Sequence, residues 1–187
     1  DLRMSRGLGD VYKRQVEGLC KSDPKIVSCR VYWGLGSEYV EVPVDMSGGP
    51  FRVRREIALP ENSYNFDIYT YDAEGNRSIP VNVTGKSYGE QYKASLTNRL
   101  VKSFTLQDGQ AVIEWWDIDA TQGPYATEVV YTDKQHAVVE KLVPVEEKKT
   151  VLEDYDMATA VEYTTLYRPD TLCVDVFRSV PDRVKLE

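Results

Sequence analysis

This 187-residue chain carries 30 acidic residues, three cysteines and one histidine, but their spacing does not assemble acid–base, nucleophilic or metal chemistry. The one histidine, His136, ends the stretch Asp133-Lys134-Gln135-His136, which reads as a hairpin tip. Nucleophilic catalysis needs a base held against the nucleophile and oriented by a third group. An exposed turn supplies neither, so His136 is expected to be a solvated turn residue and no catalytic residue is assigned. The three cysteines, Cys20, Cys29 and Cys173, are odd in number and lack metal-ligand spacing. Cys29 and Cys173 lie in alternating stretches and are expected as small buried hydrophobes. Glu114 with Asp117 and Asp119, and Asp72 with Glu74 and Asn76, group oxygen donors of the kind calcium takes. Neither group follows an EF-hand pattern, so no metal and no cofactor is expected. Residues 73 to 76 hold a single glycine, too few for a phosphate loop.

The aromatic residues are the stronger lead: 13 tyrosines and three tryptophans, a usage that suits pleated, half-buried surfaces. Trp115 and Trp116 are adjacent, so in a strand one faces the core and the other faces outward. Tyr69 and Tyr71 share the outward face of their strand if Tyr64, Phe66 and Ile68 face inward, and Tyr32 belongs to a neighbouring strand. Tyr32, Tyr69, Tyr71 and Trp116 are therefore the candidate ligand-binding residues. An exposed aromatic row can stack on sugar rings or dock a protein; the alternative is cross-strand pairing that only stabilises the sheet.

Net charge is −7 and no broad basic stripe exists, which disfavours nucleic acid as a partner. The local exception is Arg52, Arg54 and Arg55 with Arg30; positions 52 and 54 share one strand face and read as a solvated surface. No apolar run is long enough for a membrane-spanning helix.

The elements that must position these residues are strands. Val27, Cys29, Val31 and Trp33 alternate with Ile26, Ser28, Arg30 and Tyr32. Gly34 to Ser37 is a turn signal. Val40, Val42 and Val44 align on the returning strand, and Pro43 places it at an edge. Phe51 to Leu59 alternates again. In LPENSYNFDIYTYDAEGNRS, residues 59 to 78, Tyr64, Phe66, Ile68 and Thr70 line one face, and Asp72 to Asn76 make a hairpin turn around Gly75. Ile79 to Thr84 closes the unit. A second copy follows at an offset of 99 residues, matching Val31 to Val130, Val40 to Val139, Val44 to Val143 and Tyr64 to Tyr163. Its expected strands are Leu100 to Leu106, Ala111 to Trp116, Thr127 to Thr132, Ala137 to Val143, Thr150 to Tyr155, Val161 to Tyr167 and Leu172 to Arg178. Turns spaced about 8–12 residues apart suit a β-sandwich.

Residues 1 to 15, DLRMSRGLGDVYKRQ, have no period and resemble translated sequencing-adapter text found at the ends of metagenomic gene fragments. They are expected to be a disordered, non-native leader. The organisation that follows is a truncated sandwich over 16–86, lacking its first two strands with Val16 to Leu19 as the stub of the second. A connector with a short helical segment covers 87–99 and a second sandwich 100–180. A tail, or the start of a further module, covers 181–187.

The Leu59-Pro60 pair four residues before Tyr64, and the turn Asp72 to Ser78, resemble the fibronectin type III consensus. In that family the tyrosine hydroxyl bonds nearby backbone at a strand corner. The fold class expected is all-β, two tandem fibronectin type III or immunoglobulin-like β-sandwiches. DPKIVSCRVYW, EVPV, LPENSYNFDIYTYDAEGNRS, YGEQYKASLTNR and EYTTLYRPD, over residues 20 to 178, resemble the domain-of-unknown-function-4998 family of Bacteroidetes surface lipoproteins. That resemblance implies a full-length parent that is lipid-anchored at the cell surface, outer membrane or periplasm, with a role near glycan uptake. It implies no catalytic residues. A lipobox cysteine is missing from this sequence. The function expected is a non-catalytic spacer or weak glycan- or protein-binding unit, touching a membrane only through a lost lipid anchor. The alternatives are an accessory region that positions a catalytic domain lost by truncation, and an adhesion or assembly subunit.

Overall fold

A computed structural model describes residues 12 to 187 apart from residue 22. Nearly every element in it is an antiparallel strand, arranged in two units that are described separately. No helix among the described residues is long and apolar enough to cross a membrane.

The first unit holds β1 (Tyr12–Cys20), β2 (Ile26–Trp33), β3 (Glu38–Pro43), β4 (Phe51–Leu59), β5 (Asn62–Asp72) and β6 (Val81–Ser87). β1 pairs β4 in one sheet, and the order β3-β2-β5-β6 forms the other. Pro43 lies on β3, an edge strand, where its missing N–H costs no ladder bond. The inward residues of both sheets interdigitate: Val16, Val31, Ile57, Leu59 and Phe66 make one cluster. Cys29, Val44 and Val53 make a second.

The second unit holds β7 (Val101–Gln107), β8 (Gln110–Trp115), β9 (Pro124–Thr132), β10 (Val138–Pro144), β11 (Lys149–Leu152), β12 (Val161–Tyr167), β13 (Phe177–Arg178) and β14 (Asp182–Val184). Its sheets run β11-β8-β7 and β10-β9-β12-β13, with β14 also on β12. Phe104, Ile113, Trp115, Val129, Tyr155 and Val161 are among the side chains that fill its core. A five-residue helix, α1 (Glu90–Ala94), lies between the strands of the two units in sequence. The strand orders match unit for unit, β1-β4 to β8-β11 and β3-β2-β5-β6 to β10-β9-β12-β13. This is the sheet arrangement of a fibronectin type III-like sandwich.

Several expectations are corrected. Residues 12–15, assigned to a disordered leader, form the start of β1, with Tyr12 opposite Leu59 and Gln15 opposite Glu56. Residues 1–11 of that expected leader lie outside the described residues. The period-2 reading failed here because the inward position is polar. Arg14 is buried, and its guanidinium donates to the Lys86 carbonyl at 2.9 Å. Gly85 leaves it room, since a Cβ there would stand 3.0 Å from Arg14 Nε and 3.1 Å from the Phe66 ring. β1, expected only as the stub Val16 to Leu19, is therefore a nine-residue strand.

At the other end, the stripe Leu172 to Arg178 is not one strand. Only Phe177–Arg178 pairs β12, while Val174 and Val176 are exposed. Leu172 to Val174 belongs to the first unit, where Gln15 N donates to the Leu172 carbonyl at 2.9 Å and Val174 N to that of Lys13 at 3.3 Å. Residues 181–187, expected as a tail, supply β14, and Val184 and Leu186 pack on the second core.

The constant repeat offset also slips. Val31 is fully buried, yet Val130 lies between the buried Val129 and Tyr131 and is itself only half-buried. Val31 pairs Val40, whereas Val139 pairs Tyr131, so the hairpin is one residue shorter in the second unit. A one-residue shift moves every side chain of a strand to the other face.

Candidate functional site

The alternation of β2, β3 and β5 puts one polar and aromatic set on the sheet face opposite Cys29 and Val31. Register then decides who meets whom. Tyr32 stands across from Tyr39, and Arg30 across from Glu41. On the other side Arg30 stands across from Tyr69, and Tyr32 across from Asp67. Tyr71 is diagonal to Arg30, within reach of a long side chain.

Arg30 is the hub. Its Nε donates to Glu41 Oε1 at 3.1 Å and its Nη1 to the Tyr32 hydroxyl at 3.3 Å. Its guanidinium carbon lies 4.7 Å from the centre of the Tyr71 ring and 4.9 Å from that of Tyr39. The Tyr32 and Tyr71 hydroxyls are hydrogen-bonded at 3.1 Å. Tyr32 packs on Tyr39 with centroids 5.0 Å apart and meets Tyr69 edge-on at 5.7 Å. Arg77, beyond the turn after β5, covers the Tyr69 ring at 4.6 Å. Cations over aromatic faces attract the ring quadrupole. The hydrogen bond from Arg30, and then that with Tyr71, lowers the Tyr32 phenol below its ordinary range, while the bond to Tyr32 raises Tyr71. The result is a connected lattice of hydrogen bonds and ring contacts, with Tyr39 half exposed at its margin.

Of the candidate residues, Tyr32, Tyr69 and Tyr71 come together here. Trp116 lies in the second unit, one residue past β8, and is half exposed with the Lys102 ammonium 5.1 Å over its ring. Its neighbour Trp115 is the core member of the pair; its indole N–H donates to Thr150 Oγ1 at 2.9 Å. Sequence reasoning missed Tyr39, Glu41 and Arg77 and read Arg30 only as solvated. The four-residue turn after Trp33 was the available signal, because it sets Tyr39 opposite Tyr32.

The remaining polar groups disperse. Glu114 binds Lys149 at 2.8 Å and Asp117 binds Lys148 at 3.1 Å. Asp119 caps a 3-10 turn through Thr121, whose bonds lower its carboxyl. Asp72 accepts from the Glu74 and Asn76 backbone within its own turn. No group of three or more His, Cys, Asp or Glu side chains that could hold a metal occurs among the described residues. His136 is exposed in the left-handed region at φ 64°, with Nδ1 3.9 Å from Asp156. Arg54 pairs with Glu17 at 3.0 Å, and Arg52 and Arg55 are exposed.

Among solved structures, the chain is similar to a two-domain fibronectin type III segment of chicken tenascin, at 13% identity and TM-score 0.34, covering 98% of this chain and 95% of that one. It is also similar to the FN1–FN3 domains of chicken CNTN1, at 14% identity and TM-score 0.37, covering 95% of this chain and 66% of that one. No curated protein matches. A family model described as a domain of unknown function, DUF4998, matches residues 7–177, so the chain belongs to that family.

Proposed function

We propose that this chain is a non-catalytic module of a surface-exposed protein, a spacer whose first unit carries a shallow docking face built on Tyr32, Tyr39, Tyr69 and Tyr71. The observation that carries the reading is the fixed Tyr–Arg lattice on an outward sheet face. Its side chains are held by one another, so little rotamer freedom is left to lose on binding. Aromatic edges with guanidinium and phenol donors beside them suit the mixed polar and apolar surface of a sugar. Trp116 is a second, separate aromatic of this kind. The family resemblance supports a lipid-anchored Bacteroidetes parent connected with glycan uptake, and so favours a glycan ligand. The protein-partner reading has its own support: Tyr and Arg are the residues enriched at protein interfaces, and Arg30 and Arg77 already cover ring faces that a sugar would need.

Affinity electrophoresis of the purified chain against a polysaccharide panel tests the glycan reading. Retardation by one glycan, lost in Tyr69→Ala with Tyr71→Ala while the circular dichroism spectrum persists, supports it. Equal retardation by every glycan, or none, removes it and leaves the spacer role.

A further inference from the structure

Cys20 is the last residue of β1 and Cys29 lies in the middle of β2, so the two cysteines come from the facing sheets of the first unit. The two-residue period puts Cys20 on the same side of β1 as the buried Val16, and Cys29 on the same side of β2 as the fully buried Val31. Both side chains therefore enter the space between the sheets. There Cys20 packs, partly buried, on the small cluster of Cys29, Val44 and Val53. Only the short connection from Lys21 to Lys25 and the start of β2 separate them along the chain. Burial, and secondarily the charge of Cys20, push the Cys29 thiol up to about 11, and burial raises Cys20 as well. No disulfide links them in the structure.

We propose that Cys20 and Cys29 are a thiol pair that closes into an inter-sheet disulfide when the protein meets a low-molecular-weight disulfide. The proposal is independent of the ligand-binding reading, because it uses the opposite face of β2. Cys20 is the accessible partner and reacts first. Its thiolate attacks one sulfur of glutathione disulfide, forming a Cys20–glutathione bond and releasing one glutathione thiolate. Cys29 gives its proton to solvent base and attacks the Cys20 sulfur. The second glutathione thiolate leaves, and the Cys20–Cys29 bond remains. Two electrons pass from the cysteine pair to glutathione disulfide, which is reduced to two thiols. The buried Cys29 is a poor thiolate and reacts through this intramolecular route alone.

The full chain is incubated in mildly alkaline glutathione buffers of increasing oxidised fraction, trapped with iodoacetamide and digested with trypsin. The expected product is the peptide QVEGLCK joined to IVSCR, two hydrogen atoms lighter than their sum, with Cys173 unjoined. In Cys29→Ser the glutathione adduct accumulates on Cys20, and in Cys20→Ser the Cys29 thiol stays unmodified. If the wild-type chain stops at the Cys20 adduct, or joins either residue to Cys173 or to a second chain on a non-reducing gel, the proposal is overturned. The wild-type mass measurement decides the matter even where a serine variant folds poorly.

Discussion

The Tyr64 hydroxyl donates a 2.7 Å hydrogen bond to the Pro60 carbonyl, four residues back along the chain. It ties the start of β5 to the turn that leaves β4, and its ring stacks on the buried Phe66 with centroids 6.0 Å apart. Tyr64→Phe keeps the ring and removes only the bond. The expected cost is about 0.5–1.5 kcal/mol, read from urea unfolding with an unchanged slope. An unaltered midpoint would show that the corner contributes nothing. The matched Tyr163 makes no such bond to the turn before it; its hydroxyl lies 3.5 Å from Asp182 on β14.

The stability of the first unit should depend on residues before Val16. A chain beginning at Val16 is expected to melt several degrees below one beginning at Tyr12, because it loses four ladder pairs with β4 and the bond from Arg14 to Lys86. Arg14→Ala in the full chain should reproduce part of the loss. Equal melting temperatures for all three chains would return these residues to the status of a foreign leader.

What the sequence disclosed, and what it hid, follows from where its signal is local. β2 and β4 were legible because apolar and polar residues alternate along them, β12 from its run of Val, Tyr and Thr, which suits a strand buried on both faces, and the edge position of β3 was legible from Pro43. The start of β1 was hidden because its inward side chain there is Arg14, whose partner lies 72 residues away. β14 was hidden because three residues carry no period, and its place is set by pairing with Val161 to Tyr163. The three tyrosines of the candidate face were visible from strand alternation. Their arginine hub was not, since a guanidinium on a strand face looks solvated until register places rings on both sides of it.

Arg99 is the most buried charged residue of the second unit, at 1% exposure, and no carboxylate bonds it. Nε donates to the Trp116 carbonyl at 3.0 Å and Nη1 to that of Pro144 at 3.4 Å, with the Trp115 ring 5.4 Å from the guanidinium. Burial lowers its pKa against the pull of Asp117, Glu147 and Glu146. Arg99→Ala should cost about 1–3 kcal/mol, since it removes the bond to the Trp116 carbonyl and the packing of a buried side chain against Trp115, while the Pro144 carbonyl keeps its bond from Glu147 N. Arg99→Met, which keeps the stem, should lose less. Denaturant unfolding of the two variants gives the comparison, and a stable alanine variant would refute a structural role.

Alkali should unfold the second unit through its buried tyrosines. Burial, then the nearby Asp182 carboxylate, push Tyr163 up to about 12, and burial also raises Tyr131 and Tyr155. In the unfolded chain a phenol titrates near about 10. Between these values the unfolded state has lost a proton that the folded state keeps, so stability falls as pH rises through that window. Tyr163→Phe should flatten the fall. The check is the melting temperature as a function of pH, and a slope unchanged by the substitution would exclude Tyr163 as a cause.

The last expectation separates a lattice from a row of unrelated rings. If Arg30 organises the face, Arg30→Met should raise the Tyr32 phenol pKa, because the hydrogen bond from Arg30 is the largest influence lowering it. The Tyr71 phenol should also move, since Arg30 and the Tyr32 hydroxyl both act on it. Methionine retains the aliphatic stem and a soft contact to the rings, so the folded sheet should survive. Arg30→Lys should not restore the wild-type titration, because an ammonium cannot bond Glu41 and Tyr32 while lying flat between the Tyr39 and Tyr71 rings. Following the Cζ resonances of labelled tyrosines through an alkaline titration reads both residues at once. If Tyr32 titrates identically in all three proteins, Arg30 is a bystander, and any ligand affinity of this face has to come from the tyrosines alone.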